Sequence, residues 1–212
     1  MRIWLTRKKQ NTTPSTGEPD VTEGWLHPES AQTLLAETTR QQLIQFIRQS
    51  TALPASLFER FWLIPIHRFA ELAQLFPASE NHHHSHAGGL LDHSLEAACY
   101  AARLRQSYLF PPDAAPEDQA AQSERWPTVI IYAALLPDLG KLITDIEVEN
   151  FSGKRWFPWH GPLTQPYRFR YLPQRDYLRH PAAAVLLLTQ LIPPESLDWL
   201  AADTAALSTL LH

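Results

Sequence analysis

Cysteine is nearly absent from this chain of 212 residues, in which Cys99 is the single example. One cysteine cannot form a disulfide within the chain and excludes a zinc module built from several cysteines, so a bound metal would need histidine and carboxylate ligands. Glycine is scarce as well, with 7 residues, whereas the 18 prolines exceed the usual share of about 5%. The prolines predict short elements separated by breaks.

Long hydrophobic runs are also missing. No apolar stretch reaches the roughly 18 residues of a membrane span, and the basic N-terminus is not followed by the apolar segment of a secretory signal. We therefore expect a cytoplasmic protein without a membrane partner. The net charge of −4 argues against a protein that coats nucleic acid through charge alone.

The organisation of the chain predicts one helical domain behind a flexible arm. Residues 1–24 read as a basic N-terminal arm followed by a linker rich in Thr, Pro and Gly, and the domain is expected to occupy residues 25–212. Apolar residues recur with helical spacing through most of that domain, and no convincing sheet pattern with period two is visible. We expect an all-α helical bundle with at most a small hairpin between residues 146 and 159.

Histidine is the most unusual feature of the composition. Four of the ten histidines fall within five residues: His82, His83, His84 and His86. A polar loop with solvated imidazoles is one interpretation of such a run. The segment GGLLDHSLEAA, which contains His93, follows directly, and LLPDLGK comes about 45 residues later. The second segment places Asp138 and Lys141 at the end of an apolar helix.

These two segments together resemble the HD phosphohydrolase superfamily, in which the second motif is commonly LLHDLGK. The wider strings PASENHHHSHAGGLLDHSLEAA and YLRHPAAAVLLLTQLIPPESLDWL resemble more narrowly the N-terminal domain of TraI-like relaxases of the MobH group, which belong to conjugative plasmids and integrating conjugative elements. The resemblance spans roughly residues 26–211. It implies an HD-domain-like bundle with the phosphodiester chemistry of a DNA nickase. It also implies single-stranded or nicked origin-of-transfer DNA and the conjugation machinery as partners.

The resemblance further implies a metal site. His93 matches the first ligand of the superfamily and Asp138 matches its carboxylate, while His160 and His180 stand where some members place further ligands. A divalent Mn, Fe, Zn or Mg ion held in this way lowers the pKa of a bound water and polarises a phosphoryl oxygen. Asp138 and Lys141 are the expected catalytic residues, although a lysine at a helix end also simply favours the helix dipole.

Two departures from the superfamily pattern remove expected metal ligands from the site. Pro137 stands where the metal-binding histidine of LLHDLGK belongs, so the site is one ligand short and the local helix should be distorted. The superfamily pattern ends with a further aspartate, and neither Asp198 nor Asp203 stands in a sequence that matches that motif. We therefore expect a domain that is truncated at its C-terminus. A catalytically silent DNA-binding or assembly module and a nucleotide phosphohydrolase are therefore the alternatives to a relaxase-like domain with phosphodiester chemistry on DNA.

A basic and aromatic stretch covers residues 151–180. It carries six lysines and arginines, one aspartate and eight aromatic residues, so its local charge is +5. Such a composition is typical of a surface that neutralises phosphates and stacks bases. The candidate DNA contacts are Arg155, Trp159, Arg168 and Arg170. The alternative is that most of the aromatic residues belong to the core and that the arginines form a solvated rim.

Overall fold

A computed structural model describes residues 4–5, 23–51, 53–106, 115–117 and 124–211. The main α-helices are α1 (Ala31–Leu35), α2 (Thr38–Gln49), α3 (Ala55–Phe58), α4 (Ile64–Ala73), α5 (Gly89–Arg105), α6 (Arg125–Leu135), α7 (Lys141–Thr144), α8 (His180–Val185), α9 (Leu188–Leu191), α10 (Pro194–Ala201) and α11 (Thr204–Leu211). A π-helical segment, Glu59–Leu63, connects α3 to α4. Short 3-10 turns lie at Pro137–Gly140, Pro158–His160 and Tyr177–Arg179.

A three-stranded antiparallel sheet accompanies the helices. Its strands β1 (Ile146–Asn150), β2 (Arg155–Trp156) and β3 (Tyr167–Tyr171) lie in the order β2-β1-β3. The all-α prediction is therefore wrong, and the domain is mixed α/β. The hairpin expected between residues 146 and 159 is present as β1 and β2, but β3 was not predicted. Its sequence YRFRY does alternate with period two, and that alternation buries Tyr167 and Phe169 on one face of the sheet.

One apolar core joins the helices to the sheet. Phe76, which follows α4, is fully buried, and its ring lies 6.2 Å from the ring of Trp156 and 5.3 Å from those of Tyr167 and Phe169. Aromatic clusters of this size contribute strongly to core stability. Three of the eight aromatic residues of the 151–180 stretch are therefore core residues, whereas Phe151, Trp159 and Tyr177 are exposed.

The apolar stretch Arg125–Thr144 is long and apolar enough to cross a membrane, but 56% of its most apolar window is buried inside the domain. Pro137 also interrupts it, because α6 ends at Leu135 and a 3-10 turn follows. This burial is typical of a core helix in a soluble protein. A cytoplasmic location and the absence of a membrane partner stay predictions.

Two glycines permit close contacts that position the candidate site. A Cβ atom on Gly140 would lie 2.0 Å from the carbonyl oxygen of His180, and one on Gly89 would lie 2.1 Å from the carbonyl oxygen of His84. Any larger residue would collide with backbone at both positions. Glycine therefore lets the Pro137–Gly140 turn pack against the start of α8. It also lets α5 begin against residues 77–88, which we call the histidine loop.

Trp4 and Leu5, two residues of the predicted N-terminal arm, lie on the sheet. Leu5 pairs with Phe169 at the edge of β3, and Leu26, which follows the predicted linker, pairs with Tyr167 on the same edge. Residues 1–3 and 6–22 of the predicted arm and linker lie outside the described residues. The predicted boundary between residues 24 and 25 stays a prediction.

Candidate functional site

The histidine loop, α5 and the Pro137–Gly140 turn meet at one corner of the domain. We call its polar side chains the histidine corner: His84, His86, Asp92, His93, Glu96, Asp138 and Lys141. Asp138 is the partner of two of them, with Oδ2 3.1 Å from Nε2 of His93 and Oδ1 2.7 Å from Nζ of Lys141. The side chain of His93 is 44% exposed, whereas that of Asp138 is 17% exposed. The pairing of His93 with Asp138 joins the two motifs that the sequence singled out.

Two histidines of the histidine loop contact carboxylates on α5. Nε2 of His84 lies 3.2 Å from Oε2 of Glu96, and Nε2 of His86 lies 2.8 Å from Oδ2 of Asp92. The ring of His84 is also 5.2 Å from the ring of His93. The side chain of His84 is therefore packed in this polar cluster at 19% exposure, whereas His86 is 59% exposed and His82 and His83 are also exposed, as expected for a polar loop.

Arg40 anchors the histidine corner to the helical core. Its buried guanidinium donates hydrogen bonds to both carboxylate oxygens of Asp92, at 2.6 and 3.2 Å, and to the carbonyl oxygens of Leu34 and Gly88. Burial raises the pKa of Asp92, but hydrogen bonds and charge from Arg40 and His86 outweigh it and hold that pKa below its ordinary value. Nothing in the polar sequence around Arg40 marked it as a core residue.

A cavity of about 510 Å³ opens beside the histidine corner. The ionisable side chains that line it are Glu80, His82, Asp138, Lys141, Asp145, Tyr171, Arg175, Tyr177 and His180. Within it, Nε2 of the buried His180 lies 2.8 Å from Oδ1 of the buried Asp145. The hydroxyl of Tyr171 is buried without a hydrogen-bond partner among the described residues, and burial raises its pKa to about 12. A cavity of this size and polarity can take a small polar ligand.

The predicted site residues are brought together in part. Asp138, Lys141 and His180 line the same cavity, and His93 contacts Asp138 directly. His160 is exposed at the end of the Pro158–His160 turn, next to Trp159, and is not one of the residues that line the cavity. The corner and His160 therefore lie in different surroundings.

The donor set of an HD-type metal centre is not assembled by these side chains. In the part of the chain that the structure describes, no three His, Cys, Asp or Glu side chains are grouped to hold a metal ion. Lys141 contacts one oxygen of Asp138, His180 is hydrogen-bonded to Asp145, and Pro137 offers no donor. Metal binding at these side chains stays a prediction.

Glutamates of β1 pair with the two arginines of β3 that we predicted to contact DNA. We call this polar side of the sheet the sheet face: Glu147, Glu149, Arg168 and Arg170. Arg168 lies 3.2 Å from the Glu149 carboxylate, and Arg170 lies 2.7 Å from the Glu147 carboxylate. The local charge of +5 was counted over residues 151–180 and left out these glutamates, which lie just before that stretch but beside it in the sheet.

Other cations of the stretch are paired as well. Arg175 lies 2.7 Å from Glu80, and Arg179 lies 3.0 Å from Asp176. Among the described residues, no carboxylate pairs with Lys154 or Arg155, both of which are exposed. The positive charge available to a polyanion is therefore concentrated near β2.

An aromatic stack stands next to these two cations. The guanidinium of Arg155 lies 4.6 Å from the centre of the Phe157 ring, and that ring stacks on Trp159 at 4.7 Å with an angle of 9° between the ring planes. Trp159 is 40% exposed. We call Arg155, Phe157 and Trp159 the Arg155–Trp159 platform. Two of the four predicted DNA contacts therefore belong to the platform and two to the sheet face.

Residues 24–212 match the model of a protein family described as "Putative helicase". The chain belongs to the TraI_2 family. This membership supports the predicted resemblance to TraI-like relaxases and a conjugation function of the relaxase or helicase kind. The HD superfamily is not shown by it. No curated protein matched the chain.

The matched residues of this TraI_2 domain include the histidine corner, the cavity, the sheet face and the Arg155–Trp159 platform. Trp4 and Leu5, which lie on β3, precede the matched region. The contact between the arm and the sheet therefore involves residues outside the region that matches the family.

Proposed function

We propose that this TraI_2 domain serves conjugative DNA transfer by binding single-stranded DNA through the Arg155–Trp159 platform. The observation that carries the proposal is the exposed stack of Trp159 on Phe157 beside two cations without a carboxylate partner among the described residues. Every base has an aromatic face, so stacking on such a platform tolerates any sequence and contributes about 1–3 kcal/mol per base.

The two cations add the electrostatic part of this binding. Lys154 directly precedes β2, Arg155 is the first residue of that strand, and Phe157 directly follows it, so both cations can neutralise phosphates on either side of a stacked base. Each neutralised phosphate of a single strand releases counterions, which makes the affinity fall with salt. The paired arginines of the sheet face release fewer counterions, because the glutamates already compensate their charge.

The proposal follows the alternative in which the domain holds DNA without hydrolysing it. A divalent ion at His93 and Asp138 is not required for stacking or phosphate contact at the platform. Nicking of phosphodiesters would be a separate activity, and Pro137→His tests whether the corner can hold the metal ion that the resemblance implies for it.

The test is the affinity of Trp159→Ala for a fluorescently labelled oligonucleotide, measured by anisotropy. Because the variant loses one stacked base, we expect roughly tenfold weaker binding. Tyr100→Ala is the matched control, since Tyr100 is an exposed aromatic residue on α5, and its affinity should equal that of the unmodified protein.

The salt dependence supplies a second measurement. Replacing both Lys154 and Arg155 with Ala should lower the slope of log affinity against log salt by roughly 1.4, which is two single-strand phosphate contacts. Equal affinities for Trp159→Ala and Tyr100→Ala, together with an unchanged slope, would contradict the platform as the DNA site.

A further inference from the structure

Trp4 of the N-terminal arm covers the sheet face. Its ring centre lies 4.7 Å from the guanidinium carbon of Arg168 and 4.2 Å from that of Arg170. The ring of Trp25 lies 4.8 Å from the same carbon of Arg168. Two indoles therefore contact one guanidinium, and a single indole contacts both arginines of β3.

The arm is attached to the sheet by few contacts among the described residues. Leu5 donates to the carbonyl oxygen of Phe169 at 2.6 Å and accepts from its amide at 3.4 Å, which makes an isolated bridge. The side chain of Leu5 is 39% exposed. The attachment made by the described residues consists of two backbone hydrogen bonds, which contribute about 0.5–1.5 kcal/mol each, and one stacked ring.

We propose that Trp4 occupies a base-stacking site formed by Arg168, Arg170 and Trp25, and that single-stranded DNA competes with the arm for this site. A nucleobase is a flat aromatic ring of similar size to indole, and guanidinium planes and tryptophan rings are the surfaces on which proteins stack bases. The ligand class rests on the proposed function, since the competing base comes from the DNA held at the platform.

The charges of the arm favour the exchange. Arg2, Arg7, Lys8 and Lys9 surround Trp4 in the sequence. The arginines of the sheet face are compensated by glutamates, whereas these four cations add positive charge to the segment that carries Trp4. When a base replaces the indole, we expect the same cations to contact phosphates of the bound strand. The arm thus blocks the site in the free domain and adds to binding once it is displaced.

The tether makes the indole a strong competitor. A ring carried by the same chain as its site has a high effective local concentration, so DNA reaches the site only after displacing it. With cation–π stacking on two guanidiniums, we expect domains with Trp4 stacked on the sheet face to outnumber those with Trp4 displaced by roughly tenfold. Removal of the ring should therefore raise the affinity for single-stranded DNA by about tenfold at the sheet face.

The experiment compares the full chain with Trp4→Ala, using the same labelled oligonucleotide and anisotropy measurement. We expect about tenfold tighter binding for Trp4→Ala and an intermediate value for Trp4→Phe, which keeps a smaller ring. Adding Arg168→Ala and Arg170→Ala to Trp4→Ala should cancel the gain. Thermal unfolding of each variant shows whether the domain stays folded.

Unchanged or weaker binding by a folded Trp4→Ala protein would overturn the inference, since the indole would then be a structural cover or a DNA contact itself. A gain that persists after both arginines are replaced would also overturn it. If Trp159→Ala weakens binding but Trp4→Ala gives no gain, only this inference fails. If the full chain and Trp4→Ala both lack affinity, the proposed function fails with it.

Discussion

The histidine corner and the sheet face both contain charged side chains that the sequence predicted to contact a ligand. In both regions these side chains pair with opposite charges inside the domain. In the sheet face, the antiparallel register places Arg168 opposite Glu149 and Arg170 opposite Glu147. Backbone pairing alone brings these partners together, and each arginine stays partly exposed. In the corner, no strand register exists, and loop and helix ends must pack tightly before any pair can form.

Burial separates the two regions further. Arg40 is 52 residues from Asp92 in the sequence, is 7% exposed, and also binds two backbone carbonyl oxygens. A guanidinium in that position cannot exchange its partners for water. We therefore expect a ligand to replace the glutamate partners of Arg168 and Arg170 at a small cost in folding free energy. The buried pair of Arg40 and Asp92, in contrast, stabilises the fold.

The largest expected effect tests this difference directly. Arg40→Ala leaves Asp92 and two carbonyl oxygens without their main donor, so we expect the free energy of unfolding to fall by about 3–5 kcal/mol. Arg168→Ala, the matched variant in the sheet face, should lower it by about 1 kcal/mol. Urea unfolding of both variants measures the two losses. Losses of equal size would show that burial does not distinguish the regions.

An effect of intermediate size concerns the metal-binding histidine that is replaced by Pro137 in this chain. Pro137→His restores the imidazole of the LLHDLGK pattern next to Asp138, and we expect it to bind Mn²⁺, Fe²⁺ or Zn²⁺ at least roughly tenfold more tightly than the unmodified chain. Elemental analysis after identical loading and desalting gives the metal content.

His93→Ala added to Pro137→His is the control for that experiment, because it removes the side chain that contacts Asp138. Its metal content should return to the level of the unmodified chain. Equal metal content with and without Pro137→His would place residue 137 outside any coordination sphere and refute its alignment with the HD motif.

The smallest expected effect is the acid dependence of the corner. Despite burial, donation by Arg40 and His86 holds the pKa of Asp92 below its ordinary value of 3.8, so its stabilising contribution is complete above that value and is lost as the pH falls through the lower folded pKa. Unfolding free energies at pH 6, 4 and 3 should decline less steeply in Asp92→Asn than in the unmodified chain. Parallel declines would show that this pair does not contribute to acid sensitivity.

Part of the fold and of the candidate site could be predicted from sequence patterns. The hairpin at β1 and β2 was expected, and the contact between His93 and Asp138 joins the two segments that carried the resemblance. The strand β3 was not predicted, because alternating aromatic residues and arginines fit a surface that stacks bases and neutralises phosphates as well as they fit a strand. His160 was grouped with His93 and Asp138 because some members of the resembling superfamily place a ligand there, and it is not among the described residues that line the cavity.

The sequence by itself determined the elements whose physics is local. A single cysteine excluded disulfides within the chain, Pro137 ended α6, and the motifs around His93 and Asp138 indicated the relaxase-type family that the TraI_2 match supports. The tertiary structure decided which partner each charged group has, as for His180 and Asp145, which are 35 residues apart. Electrostatic free energy depends on what lies within a few ångströms and on burial, and neither quantity is encoded in spacing along the chain.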